Sequence, residues 1–247
     1  MKYKKIIKGK FISRPNRFVA HVEINGEEKL CHVKNTGRCA ELLVPDATVY
    51  LEDFTERMGT RKLAYSLIAV EKKPAAGRAQ TDAADHLLIN MDSQAPNVVA
   101  GEALASGTIT LPGMGRLIEI KPEVSFGNSR LDFYVKDVDG QEGYVEVKGV
   151  TLENGGIASF PDAPTERGIK HLRELTGIKR SGLAAFVLFV VQMSGMKVFR
   201  PNDERHKAFG DALRSAGSAG VCILAYECAV TPDSLQITKP VQIELHR

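Results

Sequence analysis

The sequence predicts an α/β protein with an all-β amino-terminal part: a small five-stranded barrel, then a sheet domain in which helices alternate with strands. Three observations carry this prediction. Short alternating segments crowd the amino-terminal third, apolar periodicity lapses between Pro74 and Asp85, and beyond that point helical spacings bracket one continuous apolar run, Leu183 to Val191.

In the first part, IIKGKFIS, RFVAHVEI and EEKLCHVK read as strands separated by RPN and by NGE, and Asn25-Gly26 signals a tight hairpin turn. Further strands follow at ATVYLED and LAYSLIAVEK. Five strands of this length suit an oligonucleotide-binding (OB) type barrel, and a small sandwich leaves a similar trace. The stretch from Pro74 to Asp85, rich in small residues, marks the boundary between domains 1–82 and 83–247.

Beyond it the spacing predicts a helix from Ala95 to Ser106 and strands at LIEIKPEV, RLDFYV and GYVEVKGV. A second helix follows Pro161-Asp162-Ala163-Pro164, with Thr165 as its N-cap and Ile169, Leu172 and Leu175 at helical spacing. Leu183 to Val191 reads as a central strand buried on both faces. A helix over Asp203 to Ala219 and a strand at VCILAYEC complete the domain.

With 247 residues, 43% hydrophobic and 26% charged, the chain can build one large core or two modest ones. No apolar run approaches the ~18 to 20 residues of a membrane helix, and the basic start lacks the apolar stretch of a signal peptide. The expectation is a soluble, cytoplasmic protein with no membrane partner. Cys31, Cys39, Cys222 and Cys228 match neither a zinc site nor a CxxC pair, so buried free thiols and no structural metal are expected. The net charge of +3 is unevenly spread: seven basic residues, from Lys2 to Arg17, precede the first acid, Glu23, with Tyr3, Phe11 and Phe18 among them. Cations and stacking rings suit a surface that tolerates single-stranded nucleic acid, and a solubilising basic strand explains them equally well.

The segment SRLDFYVKDVDGQEGYVEVKG, Ser129 to Gly149, carries the most specific chemistry. Alternation puts Leu131, Phe133 and Val135 on one face and Asp132 and Tyr134 on the other; in the next strand Val145 and Val147 oppose Tyr144, Glu146 and Lys148. Matching the apolar faces requires an odd loop, which Val138-Asp139-Gly140 supplies, with Gly140 at the position that favours a left-handed residue. Asp132 then stands opposite Glu146, a like-charge pairing that costs about 0.2–1 kcal/mol on an open sheet. Lys148 or a hard divalent cation held by oxygen ligands compensates it; a surface ion-pair cluster is the alternative.

Asp132 followed by Glu146-Val147-Lys148 across a hairpin, then a helix and a buried strand, resembles the catalytic core of the PD-(D/E)xK metal-dependent nucleases. The resemblance implies Asp132, Glu146 and the Val147 carbonyl as magnesium ligands, with manganese as a substitute, and Lys148 beside the attacking water. Across essentially the whole chain, FISRPNRF, HVKNTGR, NMDSQAPN, EVSFGNSRLD, YVEVKGVT and FPDAPTERG are similar to the sugar fermentation stimulation protein A (SfsA) family. That similarity implies an OB-type barrel joined to a restriction-endonuclease-like α/β domain. It also implies DNA binding, and a regulatory role in sugar use, notably of maltose.

Other candidates stand around this core. Glu123 is an additional ligand or water anchor, or an ion pair at the strand edge. Arg167, Lys170 and His171 meet a nucleic-acid backbone or simply solvate a helix face. Asp92, Gln94 and Asn97 cap a helix or assist the site, and Gln192 ends its strand with a polar group or a terminating hydrogen bond. In the barrel, Asn35-Thr36-Gly37-Arg38 forms a turn suited to a phosphate, with Arg14, Arg17 and Arg38 as the preferred contacts; an ordinary turn has the same residues. The leading functional expectation is a magnesium-dependent nuclease binding DNA, with RNA as a further partner. The alternatives are a nonspecific DNA-binding regulator of sugar metabolism with little or no cleavage, and an interaction module.

Overall fold

Buried Ala20, Val22 and Ile24 alternate with outward-facing His21 and Glu23, and the same period repeats through the amino-terminal strands. These strands are β1 (Ile6–Asn16), β2 (Val19–Ile24), β3 (Glu27–Val33), β4 (Thr48–Asp53), β5 (Tyr65–Lys72) and β6 (Leu87–Asn90) in a computed structural model that describes residues 1–35, 37–72, 87–127 and 129–246. They form one sheet in the order β3-β2-β1-β4-β5-β6. β3 also pairs in parallel with β5, Cys31 opposite Tyr65, so five strands close into the expected barrel. Asn25-Gly26 makes the two-residue turn, with Ile24 opposite Glu27.

Two expectations for this part are corrected. RPN does not separate strands: β1 runs through Asn16 with two register irregularities, beyond the stretch where β4 flanks it, which is where a sheet tolerates proline. The turn is Arg17-Phe18, fastened by Asn16 Oδ1, which accepts from the Phe18 and Val19 amides. Of the three interleaved aromatics, Tyr3 and Phe11 are 8% and 4% exposed and fill the core, whereas Phe18, at 56%, alone stands on the surface. The boundary expected between 82 and 83 lies outside the described residues. Past it, β6 adds to the first sheet beside β5.

By compactness the chain divides into two units. Met1–Ala95, Gln192–Ser194 and Ala229–Leu235 make the first; Pro96–Val191, Gly195–Cys228 and Gln236–Arg247 make the second. The second part of the chain runs α1 (Ala95–Ser106), β7 (Leu117–Phe126), β8 (Ser129–Asp137), β9 (Glu142–Val150), β10 (Leu152–Asn154), β11 (Ile157–Phe160), α2 (Glu166–Arg180), β12 (Ala184–Val191), β13 (Val198–Pro201), α3 (Asp203–Ser218), β14 (Cys222–Thr231), β15 (Ser234–Pro240) and β16 (Gln242–Ile243). Its main sheet has the order β15-β14-β12-β9-β8-β7, and β10-β11-β13-β16 form a small second sheet. All eight residues of β12 are buried between parallel neighbours β9 and β14, as its apolar run requires. Thr165 caps α2 through Oγ1, which accepts from the Gly168 amide at 3.0 Å. Phe189 stacks on Phe199 at 4.2 Å, and Phe160 meets Phe209 at 5.1 Å, which packs the small sheet against β12 and α3.

Gly143, opposite Ala184, sets how closely β9 approaches β12. A Cβ there would lie 2.9 Å from Ala184 Cβ and 3.0 Å from its carbonyl oxygen. Neither atom can swing aside, so Gly143→Ala is expected to cost about 1–3 kcal/mol in denaturant unfolding. An unchanged midpoint would mean that the strands separate freely.

Candidate functional site

The hairpin folds as its parity requires. Phe133 pairs with Val145, Tyr134 with Tyr144 and Lys136 with Glu142, leaving Val138-Asp139-Gly140 as the loop with Gly140 at φ +81°. The register therefore carries Asp132 to the level of Glu146. There the backbone ladder stops, because Asp132 Oδ2 accepts from the Val147 amide at 2.7 Å in place of a main-chain carbonyl. Asp137, buried and absent from the sequence reading, secures the loop: its carboxylate accepts from the amides of Gly115, Asp139 and Gln141 at 2.8–3.0 Å.

Side chains from three elements converge on the pair. Asn97 on α1 donates to Asp132 Oδ1 at 2.7 Å, so its part goes beyond helix capping. Glu146, 2% exposed, accepts at Oε1 from Lys148 Nζ at 2.5 Å and from His171 Nδ1. Arg167 Nε donates to His171 Nε2 at 3.4 Å, which leaves Nδ1 to carry the proton given to Glu146. His171 is thus buried against the carboxylate and does not lie on a solvated helix face. Helical spacing alone cannot reveal this, since it depends on α2 docking over β9.

The two carboxylates are tuned in opposite directions. Burial raises the Asp132 carboxyl above its ordinary range and the Glu146 charge adds to that rise, against the Val147 and Asn97 hydrogen bonds. Burial pushes Glu146 up as well, but the His171 hydrogen bond and the Lys148 charge outweigh it and hold Glu146 below the usual range. Glu146 Oε2 is buried without a hydrogen-bond partner. An unpartnered buried carboxylate oxygen beside a second carboxylate fits a hard cation, which takes oxygen ligands. Among the described residues no group of three or more His, Cys, Asp or Glu side chains is placed to hold a metal ion. A cation here would rely on two carboxylates, a main-chain carbonyl and water, a donor set that magnesium accepts.

The remaining candidates fall elsewhere. Glu123, at φ +58° in β7, pairs with Arg130 Nε at 2.6 Å in solvent. Lys170 is exposed and lies 3.6 Å from Glu174. In the first unit, Gln192 Nε2 donates to Asn90 and to the Asp92 carbonyl. Asp92 accepts from Lys34 Nζ at 2.9 Å and from the Gln94 amide at 3.0 Å. The Arg14 guanidinium donates to the carbonyls of Arg17, Asn35, Gly37 and Arg38 at 2.5–2.8 Å, which makes it the post of the turn; Arg17 and Arg38 are exposed. Thr36 lies outside the described residues. All four cysteines are free, and burial pushes the Cys31 and Cys228 thiols up to about 12, far from reactive. No helix among the described residues is long and apolar enough to cross a membrane.

Residues 12–78 match the family model described as the SfsA N-terminal OB domain, and residues 94–234 match the sugar fermentation stimulation protein RE domain. The sugar fermentation stimulation protein homologs of Clostridium beijerinckii and Desulfitobacterium hafniense (strain Y51) are each 49% identical to the chain, over 99% of it and 100% and 99% of their own lengths. Among solved structures, SfsA of Pyrococcus furiosus in complex with Ca2+ superposes with a TM-score of 0.81 at 25% identity, covering 99% of this chain and 98% of that one.

Proposed function

The chain belongs to the SfsA family, and on that premise we propose that its second unit is a divalent-metal-dependent nuclease acting on DNA, with RNA as a further substrate. The observation that carries the reading is Glu146 Oε2, a buried acceptor without a partner, set beside the Asp132 carboxylate and the Lys148 ammonium. That the Pyrococcus furiosus relative is in complex with Ca2+ supports the binding of a hard cation. Asp132, Glu146 and the Val147 carbonyl hold magnesium or manganese in this reading. A cation so held would neutralise phosphate charge and acidify a water at neutral pH. Lys148 orients that water, His171 and Arg167 fix the Glu146 carboxylate, and Asn97 fixes Asp132. Glu123 stays in its edge pair with Arg130. Arg17 and Arg38 on the barrel, and Arg167 and Lys170 on α2, contact phosphates, while Arg14 shapes the turn that presents Arg38.

The test incubates purified protein with single- and double-stranded DNA and RNA in magnesium, manganese or chelator. Cleavage should require the metal and vanish in Asp132→Ala, with strand binding retained. Equal cleavage by wild type and Asp132→Ala would assign the activity to a contaminant and end the catalytic reading.

A further inference from the structure

The register orders more than the carboxylate pair. On the sheet face that carries Asp132, side chains stand in rows across β7, β8 and β9. Lys121 lies opposite Tyr134, and Tyr134 opposite Tyr144. One step along, about 7 Å away, comes the row of Asp132 and Glu146. A further step brings Arg130, opposite Ser125 in β7, with Lys148 two residues beyond Glu146 in β9.

The first row is aromatic although the core does not require it. Leu131, Phe133, Val135 and Asp137, on the other face, are the buried residues of β8, whereas Tyr134 and Tyr144 are only half-buried. The two tyrosine rings meet edge to face at 5.5 Å, and Phe126, also half-buried, meets Tyr144 at 5.1 Å. The charges flanking this row are already matched. Lys121 pairs with Glu119 at 2.6 Å, and Lys136 with Glu142 at 3.3 Å. A phosphate would find no free cation there, and since the Lys121 ammonium lies 5.6 Å from the Tyr134 ring centroid, the property left to recognise a ligand is the π surface, above all that of Tyr144 and Phe126. On the opposite side of the carboxylates the exposed Arg130 is matched in the same way, by Glu123 at 2.6 Å.

We propose that Phe126, Tyr134 and Tyr144 form a stacking platform for an unpaired nucleobase adjoining the phosphate that a cation held by Asp132 and Glu146 would neutralise. The proposal rests on the nuclease reading of this site and narrows its substrate to single-stranded or locally unpaired nucleic acid. Every base has a π face, so such a platform tolerates any sequence. Bases inside a duplex have both faces covered by their neighbours, and only one that is unstacked can use it.

Binding of a short fluorescein-labelled DNA strand, followed by anisotropy in chelator so that no cleavage intervenes, tests the platform. Removing a single base near the centre of the strand should weaken wild-type binding about 5- to 100-fold at one position. Tyr144→Ala should lose a similar factor on the intact strand and become indifferent to that abasic position, while Tyr144→Phe binds like wild type. Tyr134→Ala provides the same comparison if Tyr144→Ala does not fold. Wild type that binds intact and abasic strands equally, or a duplex as tightly as a single strand, overturns the platform and leaves the nuclease reading standing. Independent, multiplying losses from Tyr144→Ala and the abasic site also overturn it. Wild type that binds no strand in chelator and none in calcium removes both readings together. Cleavage that survives Asp132→Ala removes the nuclease reading alone, since stacking is read from binding.

Discussion

Lys148→Ala is expected to lower divalent-dependent cleavage by about 10²- to 10⁴-fold while calcium binding, measured by calorimetry, stays within a few-fold of wild type. The ammonium donates to Glu146 Oε1 at 2.5 Å and is not itself an oxygen ligand, so in the proposed mechanism its loss removes the group that orients the water without removing a metal donor. Glu146→Gln should behave differently. It trades the anionic ligand for a neutral amide at the position whose Oε2 has no partner, so metal binding and cleavage should fall together. If Lys148→Ala lost calcium as completely as Glu146→Gln, the ammonium would be holding the site together, and its assignment to the water would fail.

The second large effect belongs to His171. Its Nδ1 donates to Glu146 in a pocket where the carboxylate is 2% exposed, so His171→Ala leaves a buried charge supported by Lys148 alone. Loss of such a charge-assisted hydrogen bond should cost roughly 1.5–3 kcal/mol at neutral pH in chelator. The sign of its pH dependence follows from the direction of the shift. Glu146 is held below its ordinary value, so its contribution is present above the unfolded carboxylate pKa and lost as pH falls through the lower folded one. The deficit of His171→Ala relative to wild type should therefore shrink as the solution is acidified through the carboxylate range. Urea unfolding of both proteins over that range measures it, and a deficit that grew toward low pH would show that His171 stabilises something other than ionised Glu146.

What the sequence disclosed and what it concealed divide along physical lines. The loop Val138-Asp139-Gly140, the cap at Thr165 and the burial of β12 follow from parity, local hydrogen bonding and an unbroken apolar run, all readable within a few residues. The placement of the three proposed site residues followed from the same parity, because one register brings Asp132 level with Glu146 and Lys148 lies two residues beyond Glu146. Asn97 and His171 were visible as polar residues, but their partners are 35 and 25 positions away, and only docking of α1 and α2 decides where they point. Phe11 misled because basic neighbours in a strand share its sequence but not its face, and Tyr3, ahead of β1, because its burial beside Asn90 is a contact 87 positions away. The sheet of β10, β11, β13 and β16 was missed because its strands, two to four residues long, are too short to establish a period.

The place where the β8–β9 ladder stops constrains how this protein can change over generations. The Asp132 carboxylate stands in for a main-chain carbonyl at the Val147 amide, so one side chain serves both the sheet and the site. Loss of the proposed cleavage would not release the position, since alanine there strands a donor that folding must satisfy. Asparagine keeps an acceptor oxygen while discarding the charge. A descendant without the proposed chemistry would thus be expected to carry asparagine at 132 before any apolar residue, and to preserve the shape of the centre.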